Sequence, residues 1–149
     1  MEEKQAAVIS VADSMNYLLT EEALFETMQA ARNSLEDGGI FIFDLKTEYF
    51  FKTKLDGFTF SDDLGDFSYV WKNYYDNEKH IHEYALRFRI KEKEGYRYER
   101  ELHKQRTFTA DEIKRAAKRA GYKKAAAFDA FTFNKPRKNS ERIYLVCML

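Results

Sequence analysis

Along this chain the hydrophobic and polar positions change period twice, and the changes mark its parts. Residues 6–12 form a short, nearly continuous apolar run, as do residues 40–43, and such runs fit strands buried on both faces of a parallel sheet. Between them come a polar loop, Asp13-Ser14-Met15-Asn16-Tyr17, and a stretch in which Leu24, Met28, Ala31 and Leu35 recur at helical spacing, so that one stripe faces the sheet. Thr20 suits the cap of that helix, and Glu21 and Glu22 in its first turn favour the positive end of the helix dipole. Gly38 and Gly39 allow the left-handed turn that ends a helix and returns the chain to a strand finishing at Asp44. The unit reads strand, loop, helix, turn, strand. A right-handed crossover sets both strand ends and their loops on one rim, where open α/β sheets bind ligands.

Past Asp44, residues 46–55 mix Tyr49, Phe50 and Phe51 with lysines and read as a short helix or irregular lid, followed by a loop over residues 62–66. The period then becomes a strict alternation. Phe67, Tyr69 and Trp71 fall on one face of a strand. His82, Tyr84, Leu86, Phe88 and Ile90 do so on a second, and Tyr96, Tyr98 and Leu102 on a third. Turn chemistry at residues 76–79 and at Gly95 separates them, which predicts a three-stranded antiparallel meander inserted over residues 56–108, one face apolar and aromatic, the other charged. That apolar face needs something to cover, because a free three-stranded sheet is marginal. Thr109 and Glu112 make a capping box, and the helix they open places Ile113, Ala116, Ala117 and Ala120 on one face before Gly121 closes it. Residues 122–133 and 143–149 read as a final antiparallel hairpin, and the whole chain as one domain.

Composition narrows the chemistry. The 149 residues balance 25 lysines and arginines against 25 aspartates and glutamates, so no global basic field draws nucleic acid or an anionic membrane. The apolar runs are far shorter than the roughly 20 residues of a bilayer span, and residues 1–4 lack the basic start of a leader, so a cytoplasmic protein is expected. Cys147 is the only cysteine, which rules out an intrachain disulfide and, in an apolar strand, reads as inert core. Aromatic residues make up 16%, enough for an extensive core or a ligand cavity. His80 and His82 point the same way on a strand, but with no third ligand placed by the sequence no metal site is expected. Asp44 fits either a site carboxylate or the solvated end of a strand, and the run Lys114, Arg115, Lys118, Arg119 fits a solvated helix face.

The order strand, D-S-x-N-Y loop, helix, L-x-x-G-G turn, strand ending in Asp, aromatic meander, H-x-Q-R-x-F, capped helix ending A-G-Y and final hairpin resembles the C-terminal half of class I S-adenosylmethionine (SAM)-dependent methyltransferases. The motif residues are 8–17, 35–44, 71–75, His103, Gln105, Arg106, Phe108, 109–122 and 140–146, nearly the whole chain. The resemblance implies an α/β fold, a partial Rossmann-like sheet carrying strands 4-5-7-6 of the family, with the meander inserted after the fifth strand. It implies SAM as cofactor, with Asp13 and Ser14 approaching it, and a small-molecule methyl acceptor held by Asn16 and Tyr17, with Tyr69, Trp71, His103 and Arg106 in a roof over the site.

One departure bears on activity. Such enzymes carry a glycine-rich G-x-G-x-G loop that lets the backbone approach the cofactor, and none of the six glycines here forms a G-x-G. The resemblance therefore implies a methyltransferase whose cofactor loop is absent from these residues, with the strand around Val8 left as a bare edge. Two alternatives remain open at this point. One is a non-catalytic interaction module completed by pairing of that edge with a partner chain or a second copy. The other is an α+β ligand-binding domain whose meander walls an apolar pocket.

Overall fold

The computed structural model describes residues 3–149, which form two four-stranded sheets connected by short helical segments. The first sheet contains β1 (Gln5–Ser10), β2 (Leu35–Lys46), β7 (Lys124–Asp129) and β8 (Arg142–Met148), in the order β1-β2-β8-β7. β1 runs parallel to β2, with Val8 opposite Phe41 and Ser10 opposite Phe43; β8 is antiparallel to both β2 and β7. The second sheet contains β3 (Thr59–Asp63), β4 (Phe67–Asp76), β5 (Ile81–Glu92) and β6 (Gly95–Arg106), antiparallel and in chain order. A 3-10 turn (Ser14–Tyr17) and α1 (Glu21–Ser34) lie between β1 and β2; α2 (Glu48–Phe50) widens into a π-turn (Phe51–Leu55) between the sheets; α3 (Ala110–Arg119) precedes β7. No helix is long and apolar enough to cross a membrane among the described residues.

Helical spacing sets the core. Leu24, Phe25, Met28 and Ala31 of α1 meet Ile113, Ala116 and Ala117 of α3, and both stripes rest on Phe41, Phe43, Leu45, Leu145 and Cys147. Alanine on α3 lets the two helices approach closely, and Tyr122 donates its hydroxyl to the Met28 carbonyl at 3.1 Å. Both predicted caps are present: Thr20 Oγ1 accepts from the Ala23 N–H at 3.0 Å, and Thr109 and Glu112 cap each other's backbone N–H groups. Phe51, Leu55 and Tyr75 make a second, smaller core beneath the second sheet.

The first sheet differs from expectation in being one-sided. Ile9, Ile42 and Val146 alternate away from Phe41 and Phe43, and none of them enters the buried core; Ile9 is 63% exposed whereas Phe43 is 0%. The continuous apolar runs thus signal a sheet with apolar side chains on both faces, of which only the helix-bearing face is covered among the described residues.

Four further expectations are corrected. Gly38 and Gly39 do not form a separate turn, because β2 already begins at Leu35 and is irregular there: Gly38 takes φ +80°, and a Cβ on Gly39 would stand 3.0 Å from the Glu36 carbonyl and 3.2 Å from that of Ala6. The meander has a fourth strand, since residues 59–63 pair with β4 instead of looping. Its two faces are also not one apolar and one charged. The tight β5–β6 turn pairs Glu92 with Gly95 and sets a register in which Tyr84 opposes His103 and Phe88 opposes Glu99, so Tyr96, Tyr98 and Leu102 share the outer face with Arg87 and Arg89. The final hairpin is shorter than predicted, with β7 ending at Asp129, where Thr132 N–H donates back to the Asp129 carbonyl at 3.1 Å.

Leu24 lies at the contact between α1 and the sheet and is fully buried. Leu24→Ala is expected to lower unfolding free energy by about 2–5 kcal/mol through lost burial and the cavity left behind, as read from urea unfolding midpoints.

Candidate functional site

The loop after β1 is the junction of the two sheets. Ala12 and Asp13 both adopt left-handed backbone, φ 62° and 54°, a conformation that L side chains rarely take and that surrounding contacts must hold. Those contacts are ionic. The Asp13 N–H donates to both oxygens of the buried Asp44 carboxylate, at 3.1 and 3.3 Å. The Asp13 carboxylate accepts from Gln105 Nε2 at 2.9 Å and Arg142 Nη2 at 3.0 Å and pairs with Lys46 Nζ at 3.1 Å, while Arg142 Nη1 bridges to Asp44. Burial pushes the Asp13 carboxyl up, but Gln105, Lys46 and Arg142 together outweigh burial and hold it below the usual carboxylate range. One loop is thereby tied to β2, β6 and β8.

Asn16 completes the junction. Its side chain is fully buried; Nδ2 donates to the Lys46 and Arg106 carbonyls at 3.2 and 2.9 Å, and Oδ1 accepts from the Lys46 N–H at 2.9 Å. These bonds join the end of β2 to the end of β6.

Beside this junction, and sharing Lys46 and Gln105 with it, lies a cavity of about 430 Å³. Its walls are the inner face of the second sheet: Tyr69 and Trp71 from β4, and Tyr84, Leu86 and Phe88 from β5, with His82 and Leu55 also lining it. The rings are ordered by mutual contact, Trp71 edge-on to Tyr84 at 5.8 Å and Tyr84 stacked on His103 at 4.6 Å with 6° between planes. His82 is buried between Phe51 and Tyr84, at 4.6 and 5.4 Å, and its Nε2 meets Asn73 Oδ1 at 3.1 Å. Burial, helped by the nearby Lys46 charge and opposed by Asp56, lowers the His82 imidazole to about 4, so it is neutral near pH 7.

The structure gathers some of the sequence-predicted residues and separates others. Tyr17 and His103 meet: the Tyr17 hydroxyl bonds to that of Tyr84 and lies 3.4 Å from His103 Nδ1, and His103 Nε2 contacts Glu101 at 3.0 Å. Tyr69 and Trp71 line the cavity next to them. Asn16, expected to touch substrate, is instead buried with its amide engaged by backbone, and Arg106 pairs with Glu112 at 2.5 Å and stacks on Phe108, fastening β6 to the start of α3. Ser14 is exposed and donates to the Val11 carbonyl at 2.8 Å. His80 and His82 do not act as a pair: His80 sits in the turn at φ 57°, 3.5 Å from Glu48, while His82 points into the interior. Asp44 is 2% exposed, which decides against a solvated strand end. The sequence reading missed Lys46, Asn73, His82, Tyr84 and Arg142. For His82 and Tyr84 the alternation shared with Leu86 and Phe88 was the available signal; for Arg142, which meets Asp13 from the far end of the chain, there was none.

Against this geometry the known proteins can be set. No family model matches the chain. A Bacillus subtilis protein named "Putative methyltransferase YqeM" is 29% identical over 138 residues, 93% of this chain and 56% of its own length, and a likewise named Geobacillus protein is 31% identical over 136 residues, 90% of this chain and 55% of its own. A SAM-dependent methyltransferase from Clostridium acetobutylicum superposes with a TM-score of 0.81 at 24% identity, over 100% of this chain and 60% of that one. The chain thus shares the fold of a SAM-dependent methyltransferase and is similar in sequence to proteins named putative methyltransferases. It spans little more than half the length of the curated relatives it matches.

Removing the Asn16 amide leaves three part-buried backbone groups without their partner, so Asn16→Ala is expected to cost on the order of 3 kcal/mol in chemical unfolding. The buried imidazole gives a pH test. Its folded-state value lies below the ordinary 6.5, so between about 4 and 6.5 the unfolded chain binds a proton that the native state does not, and stability falls as pH drops through that window. Urea unfolding from pH 7 to pH 4 reads the slope, and His82→Phe is expected to flatten it.

Proposed function

We propose that this chain is the acceptor-binding portion of a SAM-dependent methyltransferase acting on a small molecule. The observation that carries the reading is the aromatic cavity adjoining the loop after a parallel strand in a chain with the fold of a SAM-dependent methyltransferase, since open α/β sheets bind ligands at such rims. In this reading β1, β2, β8 and β7 are the family's fourth, fifth, seventh and sixth strands, and the second sheet is the inserted roof. Tyr17, Tyr69, Trp71 and His103 contact the acceptor, while Asn16 and Arg106 position the elements that carry them.

The residues present do not fit SAM by themselves. Asp13 already has three side-chain partners, the Ser14 hydroxyl is engaged by Val11, and no G-x-G occurs among the glycines to let a backbone reach the cofactor. Methyl transfer needs donor and acceptor aligned, and these residues furnish the acceptor side of that alignment. The open edge of β1 and the uncovered face holding Ile9 and Ile42 are where the donor-binding portion would dock. The same features favour a second reading, an interaction module completed by edge pairing without catalysis.

Calorimetric titration of the 149-residue chain with SAM is expected to give no saturable binding at micromolar concentrations; saturable binding would overturn the proposed division of labour. Hydrogen exchange distinguishes the docking surface. The β1 amides on the edge away from β2 are expected to exchange fast in a monomer, and protection of those amides in a clean monomer would remove the need for any added portion.

A further inference from the structure

The outer face of the second sheet, opposite the aromatic cavity, carries an uneven distribution of charge. Strand register sets Val70, Arg87 and Arg100 in one row across β4, β5 and β6, and Ser68, Arg89 and Tyr98 in the next. These two rows line a hollow of about 340 Å³. Arg89 is compensated there: its Nη2 donates to Asp63 at 2.8 Å, and its guanidinium lies over the Tyr96 ring at 4.8 Å. Glu99, the carboxylate that borders the hollow, is paired with Arg97. Arg87 and Arg100 differ. They stand directly opposite each other, both exposed, and neither has an ion-pair or hydrogen-bond partner among the described residues. Lys72, one diagonal step from Arg87 on the same face, is exposed and unpaired as well. Like charges facing each other across a strand pair destabilise a sheet. The chain as a whole is neutral, 25 basic against 25 acidic side chains, so this local excess is a matter of placement.

An anion relieves that repulsion, and the donors select which one. Each guanidinium is a planar fork that binds an oxyanion through two parallel hydrogen bonds. A carboxylate, with two oxygens and one charge, is satisfied by a single fork. A phosphoryl group carries about −1.5 to −2 charge and three acceptor oxygens, enough to engage two forks at once. We propose that this hollow binds the phosphoryl group of a small phosphate monoester, gripped between the Arg87 and Arg100 guanidiniums. Both side chains are open to solvent and leave paired backbone positions, where Cβ atoms are about 4.5–5.5 Å apart, so one phosphoryl group reaches both without movement of the sheet. Tyr98, 71% exposed beside them, offers its ring to the ligand's organic part. The site lies on the face away from the acceptor cavity and does not depend on the function proposed above.

The test uses the 149-residue chain with phenyl phosphate and inorganic phosphate as probes, acetate as a one-fork anion, and sodium chloride at matched ionic strength to account for screening. Arginine side-chain nitrogen-15 spectra, assigned by substitution, read each guanidinium. The Arg87 and Arg100 Nε–H signals are expected to move saturably with both phosphates, while that of Arg115, which pairs with Glu21 on the first-sheet side of the molecule, stays in place. In calorimetry Arg87→Ala and, separately, Arg100→Ala are expected to weaken phenyl phosphate binding roughly three- to tenfold, the loss of one exposed bidentate contact. Arg87→Lys is expected to lose nearly as much, since it keeps the charge and not the fork. Arg87→Ala also removes the repulsion, so its urea midpoint without phosphate is expected to equal or exceed that of the unsubstituted chain, and phosphate is expected to raise the midpoint of the unsubstituted chain more. Movement of the Arg115 signal as large as that of Arg87, the same shifts with sodium chloride, acetate binding as tightly as phosphate, or unchanged affinity in both alanine variants would each overturn the site. Phenyl phosphate binding no more tightly than inorganic phosphate would overturn the monoester assignment. The spectra of the unsubstituted chain decide the matter should a variant unfold, and none of these outcomes bears on methyl transfer.

Discussion

Asp13 and Asn16 sit three positions apart in a loop that must satisfy two sheets at once. Asp13 gathers Lys46, Gln105 and Arg142, and Asn16 takes the backbone of Lys46 and Arg106, so the ends of β2, β6 and β8 converge on residues 13–16. An ionic cluster at this depth is costly to desolvate and keeps its geometry only while every member is present. Its effect is positional. The left-handed backbone at Ala12 and Asp13 is held open, and the aromatic face of the second sheet is fixed over the rim of the first.

The two sheets divide the work unequally. The first is stabilised by ordinary amphipathic packing: two helices, one covered face and a buried stripe of Phe41, Phe43, Leu145 and Cys147. The second has little core of its own, with Phe51, Leu55 and Tyr75 beneath it, and presents most of its aromatic inner face to the cavity. A surface rich in rings and poor in free charge is unfavourable in water unless a ligand or another protein surface covers it. That imbalance is the physical basis of the proposal that the second sheet recognises the acceptor and the first supports it.

Elements with a strong local signal were legible from the sequence. The caps at Thr20 and Thr109, the stripe Leu24, Met28, Ala31 and the alternation through β4 and β5 are all properties of a few consecutive residues, and the structure contains them. Register was not legible. Whether Tyr98 or Glu99 faces the cavity depends on a two-residue turn, and a one-residue slip exchanges the faces, which is why the apolar and charged sides of β6 were read the wrong way round. The aromatic wall of the cavity was legible at Tyr69 and Trp71, and the long-range polar contacts that join the two sheets were not. Asn16 and Arg106 carry side chains typical of binding sites, yet each is used to hold backbone or a helix start in place.

Arg142 lies 129 residues after Asp13, and the strand that carries it is inserted between β2 and β7. During synthesis the loop after β1 emerges 129 residues ahead of its guanidinium partner and lacks it until β8 has left the ribosome. The strained backbone at Ala12 and Asp13 therefore has no reason to form in nascent chains that lack β8, and the rim is completed only when β8 joins the sheet. The order of assembly is built into the topology, so that a polypeptide released before β8 carries a hydrophobic half-sheet and no formed site.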